Sequence, residues 1–416
     1  MALLSESGKP TRLHFEILLM SWVGWVFDFY DLILFSFLLI PIGAELKLSN
    51  VMLSHVMGAS LAATAIGGVI FGVLSDRYGR RSVLQWTILT YSVGTFLCGL
   101  STSVEMLLLF RIITGLGVGG EWATGQTYVG ETFPPGVRGR YGALMQTGAP
   151  VGIMLASLVG GFAVPTLGWR WCFFVSILPA ALVVLIRRRL PESDVWMERV
   201  RSSGAAGRTD RHGGLNTFIQ LFSREYRKLF LQSLVLALFD MSAYWFTYTW
   251  LPGYLHQQRE FSLAKSAAWM LVTQTGGLCG YMTFGLAADR YGRRPAYSVY
   301  SVVMAVGLIM ITLMWEEVVL YPPLILSFMF LVGFGTGMFS GYGPLFAELF
   351  PTAVRNTAMG SAFNLARGVQ FFTPVIIVVI AQRYGLSGGI SLAALFGLLT
   401  GAWIWTFPET KGRKLL

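Results

Sequence analysis

Gly72-Val-Leu-Ser-Asp76-Arg77-Tyr78-Gly79-Arg80-Arg81 returns 213 residues later as Gly285-Leu-Ala-Ala-Asp289-Arg290-Tyr291-Gly292-Arg293-Arg294. Two further echoes follow in the same order. Gly115-x-Gly117-x-Gly119 returns as Gly333-x-Gly335-x-Gly337, and Glu131-Thr-Phe-Pro134-Pro-Gly-Val-Arg138 returns as Glu348-Leu-Phe-Pro351-Thr-Ala-Val-Arg355. Three matches in register mark an internal repeat, and the surroundings say what is repeated. Around the motifs run apolar stretches of about 20 residues, each long enough to cross a hydrocarbon core. They lie near 15–40, 52–74, 82–101, 106–130, 141–164, 171–188, 229–254, 266–287, 296–315, 323–347, 358–381 and 389–407. Each motif falls at the same place in its half, after span two or eight, or along and after span four or ten. Runs this long and apolar satisfy their backbone as helices, and the alternation of a β-barrel is absent. The expected fold is an all-α membrane protein of twelve helices in two six-helix halves. Residues 1–190 and 229–416 form the halves, and 191–228 is a polar, basic linker. A six-plus-six repeat is the mark of a transporter whose halves rock about a central site.

Composition agrees. Of 416 residues, 54% are hydrophobic and 12% charged, about half the charge of a soluble domain. Mean hydropathy is +0.61. A soluble enzyme, a disordered chain and a nucleic-acid binder are excluded, because that much apolar surface has no place in water. The net charge of +10 sorts by topology. With the N-terminus inside, 24 of the 31 Lys and Arg fall on the cytoplasmic side, 5 outside and 2 within spans, a strong positive-inside bias. The Arg187-Arg188-Arg189 run marks the inner end of span six. The expectation is a multi-pass protein of the plasma (inner) membrane with both termini cytoplasmic and no cleaved signal peptide, since the first apolar run is too long. Cys98, Cys172 and Cys279 lie in apolar runs without zinc or redox spacing, so no metal or bound cofactor is expected.

These motifs carry a family resemblance. Over essentially its whole length the chain resembles a major facilitator superfamily transporter, whose cytoplasmic signature the Gly-x-x-x-Asp-Arg-x-Gly-Arg-Arg loops match. Pro191-Glu192-Ser193 and Pro408-Glu409-Thr410-Lys411-Gly412 resemble the sugar-porter branch. Asp28-Phe-Tyr-Asp31 resembles the span-one motif of bacterial organic-acid symporters, and Gly120-Glu121-Trp122 the span-four motif of the sialate:proton and lactate:proton group. Glu348 to Asn356 also resembles animal organic-ion carriers. The resemblance implies a cytoplasmic gate of Asp76, Arg80, Glu131, Arg138, Asp289, Arg293, Glu348 and Arg355, with the arginines pairing to Glu131 and Glu348. Asp76 and Asp289 end their spans where a carboxylate accepts backbone N–H groups at the start of the next helix.

Ionisable residues inside spans are functional hypotheses. They are Asp28, Asp31, Arg111, Glu121, Asp240 and Arg367. At 1.5 Å per residue, Asp31 lies about 24 Å from the inner end of span one and Arg111 about 8 Å from the outer end of span four. The two share a depth and are expected to pair. In proton-coupled sugar porters matching residues couple protonation to transport, so Asp31, Arg111, Asp28 and Glu121 are the expected proton-coupling set; a static salt bridge is the alternative. No histidine lies deep in a span, which excludes a His relay: His14, His55, His212 and His256 fall near ends or in loops. Arg367, about 15 Å into span eleven, has the fork that suits a carboxylate and shares a face with Asn364 and Phe371. Asp240 at comparable depth is either its structural partner or part of the site. Tyr244 and Tyr248 stack at i, i+4, and Gln146-x-x-x-x-x-Gly152 resembles a sugar-porter pattern whose Gln contacts substrate. The sugar porters' double Gln on span seven is missing, and Gly343 stands where they carry a Trp.

The reading is a monomeric, non-enzymatic secondary transporter. Its substrate is a small organic anion, a lactate-like monocarboxylate or sialic acid, and protons are the coupling ion. Membrane lipid is its surrounding and nucleic acid is not a partner. Two alternatives stand beside it: an aromatic-acid or organic-cation carrier or exporter, and a non-transporting membrane sensor.

Overall fold

The computed structural model describes residues 4–7, 9–159, 164–178, 180–181, 186, 189–205, 215–255, 259–260 and 263–413. Of the positions singled out above, Arg187, Arg188, His212 and His256 lie outside the described residues. Secondary structure among the described residues is helical throughout. Helix α1 (Arg12–Leu46) opens where His14 Nδ1 accepts from the Thr11 N–H at 3.0 Å. Ser49 and Ser103 cap α2 (Asn50–Tyr78) and α4 (Val104–Thr132), taking the Met52 and Met106 N–H groups at 3.2 and 3.3 Å. Between them α3 (Arg80–Cys98) follows α2 with one residue intervening. That residue is Gly79 at φ +95°, and Gly292 at φ +105° makes the same turn in the second half. A side chain is strained there, which is why the loop motif repeats a glycine at that place.

Span five divides at Thr147 into α5 (Arg138–Gln146) and α6 (Gly148–Leu158), and α7 (Trp169–Val175) begins span six. The second half comprises α8 (Arg227–Gly253), α9 (Leu263–Tyr291), α10 (Arg293–Thr312), α11 (Pro322–Gly335), α12 (Tyr342–Leu349), α13 (Arg355–Val369) and α14 (Thr373–Trp403). A 3-10 segment, Thr336–Gly341, joins α11 to α12 as span ten. Spans eleven and twelve meet inside α14 at Gly385, φ +67°.

Seven described helical stretches are long and apolar enough to cross a membrane on their own. The remaining spans are broken, incompletely described, or more polar because protein surrounds them. α13 is the clearest case: nearly every residue from Arg355 to Arg367 is buried, so it needs no lipid-like surface. Burial is correspondingly inverted. Ile66, Leu271 and Val299 are exposed while Asp28, Glu121 and Arg111 are buried.

Within the first half α4 packs on α2 and α3, and α1 on α6; within the second, α11 packs on α9 and α10, and α14 on α8 and α10. The two largest contacts between the halves are α2 against α13 and α9 against α5, and α4 also meets α12 and α13. The first two are one interface seen twice, span two on eleven and span eight on five. The repeated glycines make the packing close. A Cβ at Gly115 or Gly119 would overlap the α2 carbonyls of Ser60 or Thr64, and one at Gly117 the backbone of Tyr91 in α3. In the repeat, Gly333 meets Thr273 of α9 and Gly335 meets Met304 of α10.

Candidate functional site

At the end of the bundle that carries both described chain ends, two equivalent clusters form. Arg80 binds Glu131 through Nη2 at 2.7 Å and Nε at 3.0 Å, and binds Asp76 at 2.9 Å. Ser193 donates to Glu131 at 2.5 Å. In the second half Arg293 binds Glu348 at 2.8 and 3.2 Å and Asp289 at 2.7 Å, and Thr410 donates to Glu348 at 2.7 Å. All six ionic partners are buried or nearly so.

One expectation is corrected here. Asp76 and Asp289 do not cap the next helix of their own half. Those N–H groups go to Glu192, which takes Arg80 and Arg81 at 2.6 and 3.0 Å, and to Glu409, which takes Arg293 and Arg294 at 2.8 and 3.1 Å. The turn glycines aim each new helix at these carboxylates instead. Asp76 is thereby free to reach across: it accepts from Thr357 N at 2.8 Å and Thr357 Oγ1 at 2.7 Å, at the start of α13. Asp289 accepts from Arg140 N at 2.8 Å, at the start of α5. Arg355 binds Glu131 at 2.6 Å, and Arg138 lies 3.5 Å from Glu348. The eight expected gate residues therefore meet, and each cluster clamps the opposite half. Outside the spans, burial alone would raise the Glu409 carboxyl. Four backbone N–H donors, from Arg293, Arg294, Lys411 and Thr410, hold it below its ordinary 4.5.

Deeper in the bundle, Asp31 and Arg111 pair as expected, in a bidentate fork of 3.0 and 3.2 Å. Thr95 donates to Asp31 at 2.7 Å. The Arg111 guanidinium also reaches Cys98 Sγ at 3.2 Å and lies over the rings of Phe35 and Phe173 at 4.6 and 5.3 Å. This pair is satisfied on every side, and Thr95, Cys98 and Phe35 were not singled out by the sequence.

One helical turn toward the centre, Asp28 and Glu121 face each other, 1% and 0% exposed. Arg367 is the cation facing Asp28. It lines a cavity with Phe29, Gln146, Tyr244, Trp245, Tyr281 and Phe363, and its Cζ is 5.7 Å from the Phe29 ring. Among the described residues Arg367 has no hydrogen-bond or ion-pair partner within reach. The space open to a water centre is about 20 Å³, enough for a single water. The cavity is closed around its polar groups.

The other expected site residues divide. Gln146 lines the cavity and accepts from Trp122 Nε1 at 2.8 Å and Gln126 at 3.2 Å. Tyr244 lines it too, with Tyr248 stacked behind at 4.5 Å. Asn364 instead donates to Gly119 O at 2.8 Å, joining α13 to α4, and Phe371 packs against Gly58. Depth placed Asp240 level with Arg367, but they do not pair. Asp240 sits among Tyr281, Tyr297 and Tyr342 in the second half. Trp245, beside Tyr244 on span seven, also lines the cavity, while the rest of the aromatic wall, Phe29, Tyr281, Phe339 and Phe363, was missed, since aromatics are common along every lipid-facing span.

Two interlocked, repeated halves around a closed, charged cavity define a membrane transporter rather than an enzyme. The sequence pattern of the Major Facilitator Superfamily matches residues 21–369. The chain belongs to that family, and its twelve spans and two halves follow. It is 32% identical to a putative metabolite transport protein of Haemophilus influenzae, over 98% of this chain and 100% of the relative. It is 30% identical to the sialic acid transporter NanX of Escherichia coli, over 95% of each. The solved structure of the proton:xylose symporter XylE bound to 6-bromo-6-deoxy-D-glucose superposes with a TM-score of 0.77 at 22% identity, covering 97% of this chain and 98% of that one.

Proposed function

We propose that this transporter is a proton-coupled symporter of a small organic-acid anion, a lactate-like monocarboxylate or sialic acid. The observation that carries the reading is Arg367. It is a buried guanidinium that makes no hydrogen bond or close ion pair among the described residues and faces Asp28 only at longer range, in a cavity at the meeting of the halves. A buried charge of this kind is costly alone, and a substrate carboxylate supplies the missing partner in bidentate form. Similarity to a sialic acid transporter supports an acid over a neutral sugar.

In this reading Asp31, Arg111, Asp28 and Glu121 handle the proton, which is the coupling ion, and the transporter needs no cofactor. Arg367, Gln146, Tyr244, Tyr248, Asn364 and Asp240 form and support the substrate site. The halves 1–190 and 229–416 alternate access, with linker 191–228 between them. The gate clusters lie on the cytoplasmic side of the inner membrane with both termini, where most of the basic residues fall, and the unit is a monomer. The aromatic wall favours a second cargo class within the same chemistry, a flat aromatic acid stacked between Phe29, Tyr244 and Phe363.

Uptake by purified protein in liposomes, run over lactate, sialic acid, benzoate and xylose, tests the substrate class. Saturable uptake of an acid with no xylose uptake is expected. Preference for xylose overturns the reading.

A further inference from the structure

Asp28 and Glu121 present four carboxyl oxygens, none of which finds a hydrogen-bond donor among the described residues. The two groups are nevertheless neighbours, Glu121 lying against α1 one turn from Asp28. The Glu121 carboxyl is pressed against α1 at Gly24, where a Cβ would overlap Oε1, so it has no room to turn away. Ionised carboxylates are acceptors only, and two of them in contact away from water do not both stay ionised. The groups facing the pair are few. Arg367 comes from α13, Asp31 from α1 beside Asp28, and the Tyr91 hydroxyl from α3. Asp31 is already matched by Arg111, which leaves Arg367 as the one cation that answers the pair.

We propose that Asp28 and Glu121 hold one proton between them, and that Arg367 is a counter-ion shared in turn by this pair and by the substrate carboxylate. This deepens the anion reading above and rests on it for the identity of the second claimant. Charge bookkeeping then gives the coupling. With one proton on the pair, pair plus Arg367 is neutral. A monoanion docking on Arg367 brings one negative charge into a site closed to water. A second proton, taken from the same aqueous face as the anion, joins the carboxylate left without its cation and restores neutrality. On release the anion leaves Arg367, the pair reclaims it, and the second proton departs. Proton and anion therefore travel one to one and without net charge. This narrows the proton-handling set given above to Asp28 and Glu121: Asp31 and Arg111, matched to each other, hold the neighbouring helices in place and do not exchange the transported proton.

Infrared difference spectroscopy of the purified full chain, without substrate, tests this directly. Wild type at neutral pH is expected to show a buried carboxylic-acid C=O band that shifts in heavy water. In an Asp240→Asn background, which removes the other buried carboxyl without a donor, Glu121→Gln and Asp28→Asn should each remove that band, while Asp31→Asn leaves it. Arg367→Ala, which removes the counter-ion, should increase it about twofold because the pair then holds both protons. Two near-isosteric variants at the pair guard against one failing to fold. Absence of the band, its survival in both pair variants, or no gain in Arg367→Ala overturns the proposal. The readout needs no cargo, so it separates from the anion reading. If the bands behave as expected and no acid is taken up by the liposomes, the proton pair stands and the substrate class falls.

Discussion

In the proposed reading Arg367 is the group that holds the substrate carboxylate. Arg367→Lys keeps the charge but loses the planar fork. Losing one charge-assisted hydrogen bond, about 1.5–3 kcal/mol, predicts a rise of roughly ten- to a hundredfold in the concentration needed for half-maximal acid uptake. Unchanged uptake by Arg367→Lys would show that the guanidinium does not touch the cargo. Asp31→Asn separates two roles for the Asp31–Arg111 pair. If Asp31 gates the proton, the variant keeps acid exchange and loses accumulation driven by a pH gradient. If it only holds the helices, as the proton pair at Asp28 and Glu121 requires, accumulation persists. These charges were legible in the sequence because an ionisable residue in an apolar run is conspicuous. Counting along a helix also set Asp31 beside Arg111, where they are found 3.0 Å apart. Counting also put Asp240 at the depth of Arg367 but left open whether they pair, and they do not. It measures depth and is blind to which way around the bundle a helix faces.

At the scale of the element, the repeated glycines mark where α4 and α11 each touch two neighbours. Gly117→Val would push α4 off Tyr91 of α3. Overpacking of this kind costs about 1–3 kcal/mol or more, read as a lower melting temperature and a smaller monodisperse yield. A Gly136→Ala control, at a position with nothing within 4 Å, should leave both unchanged. The Glu409 cap makes a pH prediction. Its folded carboxyl lies below the ordinary 4.5, so it adds stability above the unfolded value and loses that stability as pH falls through the folded one. Glu409→Gln should therefore melt lower than wild type at pH 7, and the gap should close as the pH falls below the ordinary 4.5 and through the lower folded value. A gap that persists in acid would show that packing, not charge, is responsible. The sequence made the Gly-Arg turn and the carboxylate visible but paired Asp76 with the wrong helix. The cap across the interface joins residues 76 and 357, a separation that no local spacing rule reaches. Likewise the break at Thr147 and the 3-10 segment of span ten leave no mark on hydropathy.

For the molecule as a whole, the Arg–Glu–Asp clusters join the two halves, and in the proposed alternating-access cycle they hold the closed arrangement. Arg355 belongs to α13 and binds Glu131 of α4, so its loss weakens the closed form without disrupting either half's own Arg–Glu pair. Removing that contact, about 1.5–3 kcal/mol, should shift the closed-to-open balance by roughly ten- to a hundredfold. A single cysteine introduced beside the gate in Arg355→Ala is expected to label faster than in the parent; equal labelling would place the lock elsewhere. The twelve-span, two-half architecture was legible from the repeat and the charge asymmetry, since lipid imposes both on the primary sequence. The closed state was not, because every contact that defines it joins residues from opposite halves. The most direct measurement is acid uptake into liposomes holding the purified protein, with and without an inward proton gradient, while internal pH is recorded. The account predicts accumulation of the acid above its outside concentration only with the gradient, with protons entering alongside it in equal number. Uptake indifferent to the gradient, or acid entry without protons, would contradict it.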